Sequence, residues 1–328
     1  MRAVGLRAFG GPEALEVLTI TTPEPGPGEV LVKVAFAGVN FVDTYMGRGA
    51  YESSAAAGLP AVLGCEGAGE IAKLGAGVTD LKVGDRVAWC VAPGAYAEYC
   101  AVPAWRLVPV PASIPLDLAC ALQLQGSTAH FLSTATFPLQ AGDTALVHSG
   151  AGGVGQILIQ LAKARGATVI ATVGTDAKAV IAKARGADHV IVAAKEDLVA
   201  RVMEITGRQG CHAVYDAVGR DTIAKSIAAC RRRGVVALYG GASGQVDAVS
   251  PLALAQAGSV FFTRPHLADY MQDAAEVRLR AGDLFTLLQD GRLKVAIDRV
   301  WPLDGAREAH QLMEARGTTG KLLLKVIA

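Results

Sequence analysis

Short runs of alternating apolar and polar residues, separated by glycine and proline, make up the first third of the chain. The apolar runs lie at 30–39, 67–75, 85–91 and 96–103. Alternation over a few residues is typical of strands with one buried face. The segment TTPEPGPGE (21–29) has the composition of turns. Because little of residues 1–112 repeats with a helical period, we expect an all-β, barrel-like domain there.

Beyond Ser113 the pattern changes to an alternation of strand-like and helix-like segments. Ser113 and Pro115 have the positions of an N-cap and a first-turn proline for the first helix. Further predicted helices lie at 154–166, 176–186, 196–206 and 221–232. Predicted strands lie at 144–149, 168–173, 189–193, 212–218, 235–240 and 260–264. Such regular alternation predicts βαβ units and a doubly wound parallel sheet with helices on both faces.

The tail after residue 266 is too short to form a hydrophobic core of its own. Its predicted elements are helices at 269–290 and 305–316 and strands at 294–303 and 321–327. We expect these strands to return to the first domain; the alternative is that they extend the parallel sheet. The prediction is therefore an α/β chain of two domains, one of residues 1–120 completed by 266–328 and one of residues 121–265.

Composition and charge narrow the possible partners and the compartment. The net charge of +1 offers no broad basic surface, which disfavours nucleic acid as a partner. The basic run Arg231–Arg233 is interpreted as a solvated helix end. No apolar run reaches the length of about 20 residues that crosses a membrane, and no signal peptide is recognised. Six scattered cysteines without a CxxC pair indicate reduced thiols, so we expect a cytoplasmic protein.

The strongest local motif is the glycine-rich segment GAGGVG at 150–155. It follows a strand-like run and opens an amphipathic helix, the context in which GxGxxG indicates a dinucleotide-binding loop. Gly150 permits the tight turn, Gly152 allows the backbone to approach a pyrophosphate, and Gly155 allows close packing of helix and strand. The helix N-terminus adds N–H groups and the positive end of the helix dipole. The alternative is a glycine-rich turn without a ligand.

The end of the next strand indicates which dinucleotide is bound. NAD sites usually place an acidic residue there to bind the ribose 2′-hydroxyl, whereas this strand is followed by Gly174 and Thr175. Lys178 lies in the first turn of the following helix, where a cation opposes the helix dipole unless an anion is close. A 2′-phosphate is such an anion, so we predict NADPH rather than NADH. Asp176 weakens this argument, and a solvent-exposed Lys178 is the alternative.

Several motifs spread over nearly the whole chain form a recognisable combination. In the first part they are GGPEALEV (10–17), PGPGEVLVKV (25–34), GVNFVDTYMGRGAY (38–51), GVTDLKVGDRVAW (77–89) and GAYAEY (94–99). Further along they are QGSTAHFL (125–132), HSGAGGVG (148–155), ATVGTDAKA (171–179), VYDAVGRDT (214–222), YGGASG (239–244), TRP (263–265) and EARGTTGKLLL (314–324). With these motifs, above all NFVDTY together with AGGVG, the chain resembles the quinone oxidoreductase (zeta-crystallin-like) group of the zinc-free medium-chain dehydrogenases/reductases.

The resemblance implies a GroES-like β-barrel catalytic domain, a Rossmann domain, and NADPH bound in the cleft between them. By match to the motifs of the group, the residues in contact with NADPH would be Phe41, Val42, Asp43, Thr44, Tyr45, Thr128, Gly152, Gly153, Val154, Gly174, Lys178, Gly240, Ser243, Phe262, Thr263, Arg264 and Arg316. Gly174, Lys178 and Arg316 are the candidates for the 2′-phosphate, although Arg316 also suits a helix C-terminus. Relatives often have a tyrosine beside the adenine ribose where this chain has Ala193, which weakens the adenosine pocket.

The resemblance also bears on metal binding. Zinc-dependent members of the superfamily use a cysteine and a histidine in the first domain, and this chain has Asn40 and Cys65 at those positions. Cys65 and Glu66 are possible ligands, but a catalytic zinc needs three protein ligands and no third is apparent. The four-cysteine structural zinc loop is missing as well. We therefore predict a metal-free protein in which Cys65 is a small buried apolar residue.

A reductase without a metal lacks the usual means of polarising an alcohol or carbonyl oxygen. A quinone needs less help, because NADPH supplies the hydride and the acceptor itself drives the reaction. Asn40, Tyr45 and Tyr51 are the predicted catalytic residues: Asn40 as a hydrogen-bond donor, and the tyrosines as proton or hydrogen-bond donors beside an aromatic acceptor. Asp43 is interpreted as a turn or capping residue. His130 and His148 receive no catalytic role.

Two alternative functions stay open. A zinc-free enoyl or 2-alkenal reductase would add hydride to an activated C=C bond, and a non-catalytic protein would bind NADPH without acceptor turnover. The group also suggests a homodimer, in which residues 260–263 form an exposed sheet edge that pairs across a two-fold axis. The alternative for this segment is a buried inner strand.

Overall fold

The computed structural model describes residues 1–50 and 58–327. Its strands, numbered along the described chain, are β1 (Arg2–Leu6), β2 (Glu16–Thr19), β3 (Glu29–Val39), β4 (Ala61–Val62), β5 (Glu66–Leu74), β6 (Arg86–Cys90), β7 (Tyr99–Pro103), β8 (Val108–Pro109), β9 (Thr144–Val147), β10 (Thr168–Val173), β11 (His189–Val192), β12 (Cys211–Asp216), β13 (Cys230–Leu238), β14 (Phe261–Thr263), β15 (Ile297–Pro302) and β16 (Lys321–Lys325). Its helices are α1 (Phe41–Gly47), α2 (Leu116–Phe131), α3 (Gly153–Ala164), α4 (Asp176–Ala184), α5 (Leu198–Ile205), α6 (Ile223–Ala229), α7 (Pro251–Gln256), α8 (Ala274–Gln289) and α9 (Ala306–Glu314). Among the described residues, no helix is long and apolar enough to cross a bilayer.

The chain divides into two compact units. The first consists of Met1–Ser127 together with Met271–Ala328, and the second of Thr128–Tyr270. The predicted boundaries after residues 120 and 265 therefore lie seven and five residues before the structural ones. The first difference arises because α2 continues through the boundary, so that no turn in the sequence marks it.

A seven-stranded sheet dominates the first unit, with the order β15-β16-β3-β5-β6-β8 and with β7 also paired to β3. A second sheet has the order β2-β1-β4. The tail contributes to the larger sheet, because β16 pairs antiparallel with β3, from Leu322 opposite Val39 to Lys325 opposite Phe36. The core of this unit is mainly aliphatic and includes the fully buried side chain of Trp89.

The second unit is built on six parallel strands in the order β11-β10-β9-β12-β13-β14. In order of appearance this is 3-2-1-4-5-6, the arrangement of dinucleotide-binding sheets. The central strands are almost continuously apolar because both faces are covered, and Leu146, Ile170 and Val214 are fully buried. The predicted α/β class with a doubly wound parallel sheet is confirmed. Within the described chain β14 lies at an edge of this sheet, which confirms the predicted edge strand over the inner one.

The predicted helix over 221–232 is wrong at its C-terminal end. Helix α6 ends at Ala229, and β13 begins at Cys230, which pairs with Cys211 of β12. The run Arg231–Arg233, interpreted as a helix end, therefore lies in a strand. Arginine favours helices when only local preference acts. Here Cys230 pairs with Cys211, and the register then shifts, so that the next paired residue of β13 is Val235, opposite Ala213. Between them Arg233 has a φ of 55°, which an α-helix does not contain, and its N–H donates to the Gly258 carbonyl at 2.9 Å.

The predicted helix over 269–290 begins later than expected. Asp273 is the N-cap of α8, and its Oδ1 accepts the N–H of Glu276 at 2.9 Å. A short 3-10 turn, Leu267–Tyr270, occupies the predicted start. An aspartate at the N-cap satisfies an N–H group that would otherwise lack a partner, so it sets the helix start more strongly than the apolar pattern does.

Candidate active site

The glycine-rich loop joins β9 to α3 in the second unit. It turns through Ser149, whose φ is 55°, and the Gly152 N–H donates to the Ser149 carbonyl oxygen at 2.8 Å. A Cβ on Gly155 would lie 2.3 Å from the same oxygen, and a Cβ on Gly150 would lie 2.8 Å from the Cβ of Ala171. A side chain at Gly155 would therefore displace the loop, and one at Gly150 would meet β10. The predicted role of Gly155 in packing the helix against a strand stays a prediction.

Helix α3 begins directly at this loop, with Gly152 as its N-cap. The Gln156 N–H donates to the Gly152 carbonyl at 2.9 Å and so closes the first helical turn. The N–H groups before it, including those of Gly153 and Val154, have no carbonyl available within the helix. Such N–H groups at the positive end of a helix dipole fit the pyrophosphate of a dinucleotide.

The tip of β10 carries no acidic side chain. A Cβ on Gly174 would meet no heavy atom within 4 Å, so space is open beside it. Thr175 caps α4, where its Oγ1 accepts the Lys178 N–H at 3.3 Å. Asp176, the acid that weakened the argument for NADPH, forms an ion pair with Lys195 at 2.6 Å. The Asp176 carboxylate is thus accompanied by a cation, and the contact of Lys178 with a 2′-phosphate stays a prediction.

The other predicted cofactor contacts of the second unit lie on α2, after β13, and on or just after β14. They are Thr128, Gly240, Ser243, Phe262, Thr263 and Arg264. The Ser243 hydroxyl donates to the Val218 carbonyl at 2.8 Å and accepts the Asp221 N–H at 3.0 Å, so it fixes the local loop. Ala193, just after β11, is exposed. The contacts of these residues with a cofactor stay predictions.

A buried polar network behind the glycine-rich loop was missed by the sequence analysis. His148 Nδ1 lies 3.0 Å from Thr172 Oγ1, and its Nε2 lies 3.0 Å from Ser226 Oγ. The Ser226 hydroxyl donates to Asp216 Oδ2 at 2.6 Å. Burial lowers the pKa of His148 below its ordinary value. Because its partners lie 24 and 78 residues away, only the position of His148 beside the loop could have drawn attention to it.

Helix α1, in the first unit, carries the predicted contacts from Phe41 to Tyr45. Its N-cap is Asn40, whose N–H donates to Asp43 Oδ2 at 2.8 Å. This bond confirms Asp43 as a capping residue. Phe41, Val42 and Tyr45 are half-buried, whereas Asp43 and Thr44 are buried. Tyr51 lies outside the described residues.

The side-chain amide of Asn40 is bonded at both ends. Its Nδ2 donates to Glu66 Oε2 at 2.8 Å and to the Gly38 carbonyl at 3.2 Å, and its Oδ1 accepts from Lys321 Nζ at 2.7 Å. The side chain is 3% exposed. This geometry favours a role in shaping the start of α1 over the predicted donation to a substrate. Lys321 was not singled out because it lies 281 residues away along the chain.

Asp43 also belongs to a buried chain of hydrogen bonds. Its Oδ2 accepts from the Tyr96 hydroxyl at 3.1 Å, and that hydroxyl lies 3.0 Å from His310 Nε2. Burial raises the pKa of Asp43 to about 6, although the Asn40 N–H works in the opposite direction. Burial lowers the pKa of His310 to about 4. These hydrogen bonds therefore link α1 to α9 through two groups, Asp43 and His310, whose pKa values differ from those of exposed side chains.

Cys65 is 6% exposed, and burial raises the pKa of its thiol well above the usual range. The thiolate is the form that binds metals, so this environment fits the predicted small buried apolar residue. The neighbouring Glu66 carboxylate is already bonded to Lys321, Asn40 and the Leu124 N–H. Within residues 1–50 and 58–327, no group of three or more His, Cys, Asp or Glu side chains is arranged to hold a metal. Independence of a metal stays a prediction.

The remaining predicted contact, Arg316, lies just after α9 in the first unit. Its φ is 56° and its side chain is exposed. His130 is buried on α2, where the Thr134 hydroxyl lies 3.3 Å from its Nδ1. That position fits the structural role given to His130.

Two family profiles match the chain. Residues 26–112 match the alcohol dehydrogenase GroES-like domain, and residues 153–272 match a family described as zinc-binding dehydrogenase. The first match lies in the β-rich unit, and the second covers most of the parallel-sheet unit and ends just beyond it. The predicted pairing of a GroES-like domain with a Rossmann domain is confirmed, which makes the protein a medium-chain dehydrogenase/reductase.

Known relatives cover almost the whole chain. A quinone oxidoreductase of Pseudomonas aeruginosa is 40% identical over 98% of this chain and 99% of its own length. A 2-haloacrylate reductase of Burkholderia sp. is 39% identical over 96% of both chains. The crystal structure of Escherichia coli quinone oxidoreductase complexed with NADPH has a TM-score of 0.96 at 39% identity, over 99% of this chain and 100% of that one. Within the superfamily, this chain belongs to the quinone oxidoreductase family.

Proposed function

We propose that this protein transfers reducing equivalents from NADPH to quinone-like acceptors without a metal. The observation that carries the proposal is the glycine-rich loop at the start of α3, combined with a β10 tip where Gly174 and Lys178 stand in place of an acid. The relatives support it, because the Pseudomonas aeruginosa protein is named a quinone oxidoreductase and the Escherichia coli protein is complexed with NADPH.

Bound NADPH supplies the hydride in this scheme, and the protein binds and orients it. The first-turn N–H groups of α3, which begins directly after the N-cap Gly152, would hold the pyrophosphate. Lys178 would balance the charge of the 2′-phosphate, and the open space beside Gly174 would leave room for it. The protein need not polarise the acceptor through a metal, because a quinone accepts a hydride readily.

The acceptor also needs a proton to become a quinol, and Tyr45 is the proposed donor of a proton or hydrogen bond. Its half-buried side chain on α1 is suited to this role, since a tyrosine can act as a general acid at a sheltered site. Tyr51 is proposed for the same chemistry. Asn40 is proposed as a residue of the site, and its bonds to Glu66 and Lys321 favour a positioning role.

The test is NADPH oxidation by the purified protein with 1,4-benzoquinone, a 1,2-quinone and an α,β-enone in parallel. We expect turnover with at least one quinone, a higher kcat/KM for NADPH than for NADH, and no loss of activity in the presence of a chelator. Equal efficiency with both nucleotides would contradict the role of Lys178. Stoichiometric zinc by elemental analysis would contradict the metal-free proposal.

The second candidate function is reduction of an activated C=C bond. It is favoured by the similarity to the Burkholderia 2-haloacrylate reductase, which is nearly as identical to this chain as the quinone oxidoreductases are. Preferential turnover of the α,β-enone in the same assay would support it. Tight NADPH binding without turnover of any acceptor would instead indicate a non-catalytic binding protein.

We further propose a cytoplasmic homodimer that forms through β14. The strand lies at an edge of the described sheet, and Phe261 on it is 63% exposed. An exposed apolar edge strand favours pairing with a second copy. All six cysteines are free and buried, which suits a reducing compartment. Sedimentation of the wild type at twice the chain mass, and of Phe261→Arg at the monomer mass, would support the dimer. A monomeric wild type would contradict it.

A further inference from the structure

A fully buried ion pair joins the C-terminal strand of the first unit to its central part. Lys321 Nζ on β16 lies 2.5 Å from Glu66 Oε2 on β5, and the two side chains are 1% and 0% exposed. Both strands flank β3 in the sheet. The pair crosses β3 at Gly38, where a Cβ would lie 2.0 Å from Glu66 Oε2 and 2.9 Å from Lys321 Cε. Only a glycine leaves room for the two charges to meet.

Stability alone does not account for this pair. Removing two charges from water costs several kcal/mol per ion, and apolar replacements of similar volume are often neutral or stabilising. A buried ion pair can instead select one conformation of its surroundings over others.

The pair holds the start of α1. Lys321 Nζ donates to Asn40 Oδ1 at 2.7 Å and to the Val39 carbonyl at 3.2 Å. Glu66 Oε2 accepts from Asn40 Nδ2 at 2.8 Å. The two charged groups thus bind opposite ends of the Asn40 side-chain amide. These bonds fix the rotation of the amide and the position of the backbone at the N-cap. The next five residues are the predicted contacts of α1 and end at Tyr45.

The pair also reaches helix α2. The second carboxylate oxygen, Glu66 Oε1, accepts the N–H of Leu124 at 2.7 Å. Leu124 lies in the interior of α2, where N–H groups normally bond only to a carbonyl four residues earlier. Glu66, on β5, therefore bonds to both α1 and α2 through its carboxylate. Lys321 balances the negative charge of that carboxylate.

We infer that Lys321 is a positioning residue of the proposed reductase site: through Asn40 and Glu66 it sets the start of α1 and hence the placement of Tyr45. The inference rests on the proposed function. Lys321 does not touch the reactants. Its loss is expected to lower the rate of the chemical step more than the affinity for NADPH, because the displaced group is the proposed proton donor.

The first variant for the test is the double substitution Lys321→Met with Glu66→Gln. It removes both charges together, so no unpaired charge is left buried, and the new glutamine side chain still offers an oxygen to the Leu124 N–H. We expect kcat with a quinone to fall about tenfold or more, NADPH affinity to stay within about threefold, and the isotope effect with 4-deuterated NADPH to rise. Lys163→Met, which breaks the Lys163–Asp188 pair of the second unit, is the matched control and should leave kcat unchanged.

The second variant, Lys321→Arg, keeps a positive charge beside Glu66. It is therefore expected to fold even if the double variant does not. The planar, longer guanidinium does not reproduce the position of an ammonium against Gly38, so Asn40 is displaced while the fold is kept. We expect kcat to fall about threefold or more at an unchanged thermal midpoint.

The outcomes separate this inference from the proposed function. No quinone turnover by the wild type would contradict the proposed function and the inference together. An active wild type with folded variants of unchanged kcat would overturn the inference alone. So would a loss of activity that merely follows the folded fraction or the NADPH affinity, or a failure of both variants to fold, because the pair would then be only structural.

Discussion

The hydroxyl of Tyr96 lies 3.0 Å from Nε2 of His310, and both side chains are buried. The two rings meet edge to face, with their centroids 5.8 Å apart. Burial lowers the pKa of His310 from 6.5 to about 4. Between these values the unfolded chain binds a proton that the folded protein does not, so the free energy of unfolding falls as the pH falls. Protonation of His310 at low pH therefore destabilises the folded protein at this contact.

Replacement of His310 by glutamine removes this titration and keeps a polar group near Tyr96. We expect His310→Gln to be less stable than the wild type at pH 7, and this deficit to shrink by about 2 kcal/mol at pH 5. Asp43, with its pKa raised to about 6, has the opposite dependence but is present in both proteins. Urea unfolding of both proteins at the two pH values measures the change. A deficit independent of pH would contradict a neutral buried histidine.

Gly155→Ala tests the contact between α3 and the glycine-rich loop. Its Cβ would lie 2.3 Å from the Ser149 carbonyl oxygen, so the helix must move. We expect a loss of about 1–3 kcal/mol of stability and NADPH binding weaker by about tenfold or more, measured by denaturation and by titration.

The matched control is Gly282→Ala in α8. A Cβ there would meet no heavy atom within 4 Å, so we expect a gain of about 1 kcal/mol from helix propensity and unchanged NADPH affinity. An unchanged affinity in Gly155→Ala as well would remove the loop from the proposed cofactor site.

Gly174→Asp tests the preference for NADPH. The position is exposed with open space around it, so an aspartate fits and places a carboxylate where NAD sites carry one. We expect the ratio of kcat/KM for NADPH to that for NADH to fall by about tenfold or more, because like charges repel the 2′-phosphate. Lys183→Asp, in the last turn of α4, changes the net charge by more and should leave the ratio unchanged. Equal ratios in Gly174→Asp and the wild type would place the 2′-phosphate elsewhere.

Tyr45→Phe tests the proposed proton donor. The substitution removes one hydroxyl from α1 and keeps the ring, so we expect kcat with a quinone to fall by about 100-fold while NADPH binding is kept. Tyr99→Phe, on half-buried β7, is the control and should behave as the wild type. Steady-state kinetics and nucleotide titration give both quantities. Full turnover by Tyr45→Phe would exclude the hydroxyl from the reaction.

Local pattern predicted much of the second unit because its elements obey local rules. The apolar strands, the glycines at 150–155 and the absence of an acid after β10 are all visible within short stretches. The prediction was wrong at 230–233, where the chain has already entered β13 and Arg233, with a φ of 55°, donates its N–H to the Gly258 carbonyl. The start of α8 was misplaced because the cap at Asp273 decides it.

The candidate site of the first unit depended on contacts that no local pattern contains. The sequence determined the motif NFVDTY, from whose match to the family the candidate residues Phe41 to Tyr45 could be named in advance, and it indicated Asp43 as a capping residue. Only the tertiary structure brought Lys321 to Asn40 across 281 residues and His310 to Tyr96 across 214. The physical reason is that a buried charge or histidine needs partners, and a sheet assembled from both ends of the chain supplies them through space, where the order of residues along the chain gives no sign of them.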